Sequence, residues 1–65
     1  MRPNLIEARK SNNLTQQEVA EMVGLKSKAS ISMLERGISR GHPEIWQALS
    51  EIFNTKPEVL WRQQQ

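Results

Sequence analysis

Sixty-five residues allow one small domain, close to the lower size limit for a chain that folds alone. Cysteine is absent and His42 is the one histidine, which excludes disulfides, a zinc site and most acid–base chemistry. No apolar run approaches the roughly 20 residues of a membrane span, and Met1-Arg2-Pro3-Asn4 lacks the apolar stretch of a secretory signal, so a cytoplasmic location is expected. Strand signals are weak, because no window alternates apolar and polar residues for long and β-branched residues are sparse. Helix signals recur along the whole chain. Asn4-Leu5-Ile6-Glu7 reads as an N-cap followed three residues on by a reciprocal acid, and Ser11-Asn12-Asn13 ends that helix. Thr15-Gln16-Gln17-Glu18 has the same grammar, with Gly24 as the stop. Ser27 caps a third helix that Gly37 ends. His42-Pro43-Glu44 places proline at the first position of a fourth helix, which stops at Asn54. Thr55-Lys56-Pro57-Glu58 is a further capping box.

Five short helices follow, over 4–11, 16–23, 28–36, 43–53 and 57–62. Most are too short to stand alone, so packing must hold them. Leu5, Leu14, Val19, Ala20, Val23, Ile31, Leu34, Ile45, Leu49, Ile52, Phe53, Val59 and Leu60 fall on the faces that can supply it. Trp46 lies beside the fourth helix's stripe and is expected to be half-buried. Arg2 and Arg62 read as surface charge, Arg2 with the further option of an N-terminal arm. The fold class is thus all-α, a compact five-helix domain over 1–62 with a polar tail, 63–65, expected to fray.

Nine Lys and Arg against seven glutamates give a net charge of +2, but the charge is banded. The densest positive band lies mid-chain, where Lys26, Lys28, Arg36 and Arg40 face only Glu35. Such banding is the electrostatic footprint of a polyanionic partner, or simply a solvated mixed surface. Overlapping that band, residues 14–37 read as two short helices joined by a tight turn at Gly24, with Ala20 where the pair must approach closely. On a wheel of about 100° per residue, Ile31 and Leu34 set the inward direction of the second helix. Ala29, Ser32, Met33 and Arg36 then point outward, with Lys28 and Glu35 on the flanks. Short side chains flanked by cations suit the major groove, which is about 12 Å wide and admits one helix. Ser32 can bond a base edge, Ala29 and Met33 can touch a thymine methyl, and Lys28 can reach guanine or phosphate. Met33 folded back on the core edge is the competing reading, and Lys26 and Lys28 could be ordinary solvated lysines.

The run from Leu5 to Leu60 resembles the Cro/repressor-type (XRE, lambda-repressor-like) helix-turn-helix family. The match rests on Leu5-x-x-x-Arg9, Leu14-Thr15-Gln16, Val19-Ala20-x-x-x-Gly24-Leu25, Ser27, Ile31-Ser32, Leu34-Glu35-Arg36-Gly37, Leu49, Phe53-Asn54 and Val59-Leu60. The turn carries one extra residue, most simply Lys26, and Gly41 stands near the position where the family has the fourth helix's proline, with Pro43 two residues later. The resemblance implies that helix 28–36 is a recognition helix. Base contacts would come from Lys28, Ala29, Ser32 and Met33, and phosphate contacts from Gln16, Gln17, Lys26, Ser27, Arg36, Ser39 and Arg40. It further implies an Arg9–Glu35 ion pair and dimerisation near the C-terminus, placed here at Lys56, Pro57, Leu60 and Trp61. The expectation is a transcriptional regulator, a repressor that binds double-stranded DNA as a homodimer. No cofactor, small-molecule ligand or membrane partner is expected, and no catalysis, since the glutamates are scattered and no activated nucleophile appears. The alternatives are an antitoxin or controller-type regulator with the same fold and, from another class, a helical protein-interaction module gripping a partner with Met33 and Trp61.

Overall fold

The computed structural model describes residues 1–64, and all regular structure among them is helical: α1 (Pro3–Ser11), α2 (Gln16–Met22), α3 (Lys28–Arg36), α4 (Pro43–Phe53) and α5 (Pro57–Leu60). The ends of these helices follow from local chemistry. Thr15 Oγ1 accepts from the Glu18 amide at 3.0 Å while the Thr15 amide donates to Glu18 Oε1 at 2.8 Å, a complete capping box that starts α2. Ser27 Oγ accepts from the Ala29 amide at 3.1 Å and starts α3. His42 Nδ1 accepts from the Glu44 amide at 3.2 Å, and Pro43 follows it as the first residue of α4. Gly37 (φ +80°) and Asn54 (φ +50°) turn left-handed to end α3 and α4.

Three local expectations are corrected. Helix α1 starts at Pro3, because proline's missing N–H costs nothing there, and Arg2 holds the N-cap position without a capping side-chain bond. Asn4 is therefore inside the helix, and its Nδ2 donates to the Val59 carbonyl at 3.0 Å, fastening α1 to α5. Helix α5 stops at Leu60 and is not capped by Thr55, whose hydroxyl donates to the Phe53 carbonyl at 3.0 Å instead. Helix α2 ends at Met22, one residue earlier than its pattern suggests.

The core is closed by Leu5, Val19, Ala20, Ile31, Leu34, Trp46, Leu49, Phe53 and Leu60, with Leu14, Val23, Leu25, Ile45 and Ile52 packed around it. Each large side chain buried here contributes about 1.5–3 kcal/mol, which is what holds helices of one or two turns in place. Trp46 is buried rather than half-buried, because its indole Nε1 finds the Arg40 carbonyl at 2.8 Å and so loses nothing on leaving water. Leu60 is 0% exposed and fills the base of the core, so it is withdrawn from the surface patch expected around it. Arg2 is likewise buried, at 4% exposure, not a surface charge. In the polar tail, the Gln64 amide donates to the Met1 carbonyl at 2.9 Å and the Met1 ammonium donates to Gln63 Oε1 at 3.3 Å; Gln65 lies outside the described residues. Among the described residues, no helix is long and apolar enough to cross a membrane.

Candidate nucleic-acid interface

Helices α2 and α3 form the pair anticipated at residues 14–37. The Leu25 amide donates to the Ala20 carbonyl at 2.8 Å, so the chain reverses directly off the buried Ala20. Gly24 supplies the left-handed step at φ +79°, a conformation costing other residues roughly 1–2 kcal/mol. The extra turn residue, Lys26, is taken up in an exposed bend, and α3 still begins at Lys28.

On α3, Ile31 and Leu34 are sealed against the core, whereas Lys28, Ala29, Met33 and Arg36 are exposed and Ser32 is partly exposed. Met33 therefore does not retreat into the core. Lys26 and Ser27 are exposed at the entrance to α3, and Ser27 uses its oxygen as the cap while its hydroxyl proton stays available. An open hollow between α2 and the start of α3 is lined by Arg9, Leu14, Thr15, Gln16, Gln17 and Lys28. Gln17 is exposed, its Nε2 donating to Glu21 Oε2 at 3.2 Å. Gln16 is half-buried and spends its Nε2 on Glu35 Oε1 at 3.0 Å.

That bond belongs to a buried network. Arg9 donates from Nε to Glu35 Oε2 at 2.6 Å and from Nη2 to Oε1 at 3.3 Å, and its Nη1 donates to the Leu14 carbonyl at 2.9 Å. The Glu35 carboxylate, 4% exposed, thus receives donors from α1 and α2 while riding on α3. One charged pair so fixes the angle among the three helices that present the exposed face. Side-chain polar groups in the buried interior all have partners among the described residues.

Beyond Gly37, Arg40 is exposed and Ser39 is half-buried, its Oγ accepting from the Gly41 amide at 3.2 Å. The cations available to an outside partner therefore run from Lys26 and Lys28 at one end of α3 to Arg36 and Arg40 at the other. A neutral, small-residue stripe lies between them. Such a surface can engage phosphates at its margins and base edges at its centre.

A helix-turn-helix family model matches residues 5–60, nearly the whole chain. The chain belongs to the Cro/repressor-type helix-turn-helix family. It is a DNA-binding helix-turn-helix regulator. No curated protein and no solved structure matches the chain significantly.

The C-terminal residues of interest are divided by the fold. Lys56 and Trp61 are exposed, Trp61 at 45%, Pro57 is half-buried and Leu60 is inside. Trp61 packs edge-on against Trp46, with ring centroids 6.1 Å apart and planes at 81°. The sequence reads Arg2 as surface charge, whereas the structure places it under the end of α3. Pro3 signals that a helix begins there, but nothing local marks Arg2 as buried, since its partners lie 32 to 59 residues away.

Proposed function

We propose that the protein is a repressor that binds a near-palindromic operator in double-stranded DNA as a homodimer. The observation that carries this reading is the division of α3: Ile31 and Leu34 anchor it, while Lys28, Ala29, Ser32 and Met33 face outward. Those four residues read base edges in the major groove. Lys26, Ser27, Gln17, Arg36, Ser39 and Arg40 meet the flanking phosphates. Gln16 commits one N–H of its amide to Glu35 and keeps the second for a phosphate. Binding occludes a promoter and involves no chemistry. Self-association uses Lys56, Pro57 and Trp61, with Leu60 supporting Trp61 from inside. It places two copies of α3 one duplex turn apart, about 34 Å.

Selection of bound sequences from a random duplex pool tests this. The expected winners carry two inverted half-sites whose centres are separated by about one helical turn. Enrichment of a single half-site removes the homodimer, and no enrichment above the starting pool removes the sequence-specific reading.

A further inference from the structure

We propose that Arg2 is a positioning residue for the DNA-facing surface: its guanidinium fastens the end of α3 and the backbone that carries Arg40 to the end of α5. The proposal rests on the DNA-binding reading above for its purpose, but its geometry stands apart from it. Arg2 Nη1 donates to the Leu34 carbonyl at 2.7 Å and to the Ser39 carbonyl at 2.6 Å. Its Nε donates to the Trp61 carbonyl at 3.0 Å, and its backbone amide donates to the Glu35 carbonyl at 2.8 Å. One residue thus joins the last turn of α3, the loop after it and the residue that closes α5.

The site is unusual in charge as well as in connectivity. Arg2 is buried, and the one ion pair among the described residues is Arg9–Glu35, so no side-chain carboxylate of the described residues pairs with Arg2. Burial pulls its pKa below the ordinary arginine value, although a guanidinium stays charged throughout the working range. What replaces water is a set of three carbonyls, one of them, Leu34, in the last turn of α3, where the helix dipole concentrates negative charge. The face of Trp46 adds to them, with the guanidinium carbon 5.1 Å from the indole centroid.

The same Trp46 donates from Nε1 to the Arg40 carbonyl at 2.8 Å. The consecutive carbonyls of Ser39 and Arg40 are therefore held by two stacked side chains, Arg2 and Trp46. The loop between Gly37 and His42 contains no regular structure of its own and lies between two left-handed glycines, Gly37 and Gly41. Its path is set by these anchors together with the Ile38 and Ser39 amides on the Met33 carbonyl, at 3.0 and 3.3 Å. The Arg40 side chain projects from this pinned backbone into solvent. Lysine cannot substitute, because a single ammonium does not reproduce a planar fork that serves carbonyls in three directions.

The test compares Arg2→Lys, Arg2→Gln and Arg40→Gln with the unaltered chain, well below every melting midpoint. In the free protein, both Arg2 variants should speed hydrogen exchange roughly tenfold or more at the Ile38 and Ser39 amides and the Trp46 indole, leaving Val19 and Leu25 unchanged. With a selected duplex, they should weaken binding at least about fivefold while keeping the unaltered slope of log K against log salt. Arg40→Gln should instead make that slope shallower by about 0.9, as expected when one phosphate contact is lost. Native exchange at Ile38, Ser39 and Trp46 overturns the proposal, as does a slope that becomes shallower in the Arg2 variants, which would make Arg2 a phosphate ligand. Uniform loss of protection, or failure of both Arg2 variants to fold, overturns it too, by making the guanidinium a requirement of the whole fold. If the unaltered chain binds no duplex, the DNA-binding reading falls, while the exchange pattern still decides whether Arg2 positions the loop.

Discussion

Replacing Arg9 by methionine probes the joint on which the helix-turn-helix hangs. The substitution keeps much of the side chain's apolar length and removes three hydrogen bonds, two to Glu35 and one to the Leu14 carbonyl. Glu35 is then left as a buried carboxylate with Gln16 as its remaining side-chain donor. Stranding one partner of a buried pair costs about 3–5 kcal/mol. The half-buried Gln16 and the partial exposure of Arg9, 14%, place this site at the lower end, about 3 kcal/mol. A domain of this size has a total stability of roughly 3–10 kcal/mol, so the variant should lose about 30% of it or more. The melting midpoint should drop by roughly 12–24 °C at about 4–8 °C per kcal/mol. Thermal and urea unfolding followed by helical circular dichroism measure this directly. The decisive comparison is the double variant Arg9→Met with Glu35→Met, which removes both charges and should be more stable than Arg9→Met alone. A single substitution costing under about 1 kcal/mol, or a double variant less stable than the single, would refute the claim that the penalty arises from an orphaned charge.

The other expectations concern separate parts of the molecule. A methyl group on Gly41 would lie 2.7 Å from both Leu34 Cδ2 and Trp46 Nε1 at φ +74°, whereas one on Gly24 meets no atom within 4 Å at φ +79°. Gly24→Ala should therefore cost about 1–2 kcal/mol of backbone strain alone, and Gly41→Ala clearly more, in parallel melts; equal costs would show that the contacts at Gly41 relax freely. Thr15→Ala removes a complete capping box and should cost about 1 kcal/mol, read from urea midpoints at unchanged m-value. Neutralising Lys28 should weaken duplex binding and make its salt dependence shallower by about 0.9 in slope, and an unchanged slope in a salt titration would remove Lys28 from the interface. Ser32→Ala should alter the preferred site more than overall affinity, and equal losses on selected and random duplexes would count against its role as a base reader.

The readability of this sequence varies from element to element. Helices α3 and α4 have the bounds their patterns suggest, because Ser27 and His42 bond amides two residues away and Gly37 and Asn54 turn the chain locally. At α1 and α5 the local grammar was ambiguous. Asn4 has capping chemistry, but Pro3 occupies the first helical position and shifts the start of α1, whereas α5 starts at Pro57 as expected with Lys56 rather than Thr55 at its N-cap. The α3 face was readable from period alone, since Ile31 and Leu34 share a side that water does not favour. The C-terminal end was read both ways, with Leu60 placed in the core and in a surface patch, because a four-residue helix presents too short a pattern to separate the two.

Local order and the outward side of α3 were written in the chain: caps, stops and apolar spacing act over three or four residues, within reach of neighbours in sequence. Long-range joinery was decided by packing. Arg2 meets Leu34, Ser39 and Trp61 only after five helices have come together, and Glu35 meets Gln16 only when α2 lies across α3. A charge can be buried in such places only where distant carbonyls or donors replace its water, and that replacement exists in the assembled molecule and nowhere along the string.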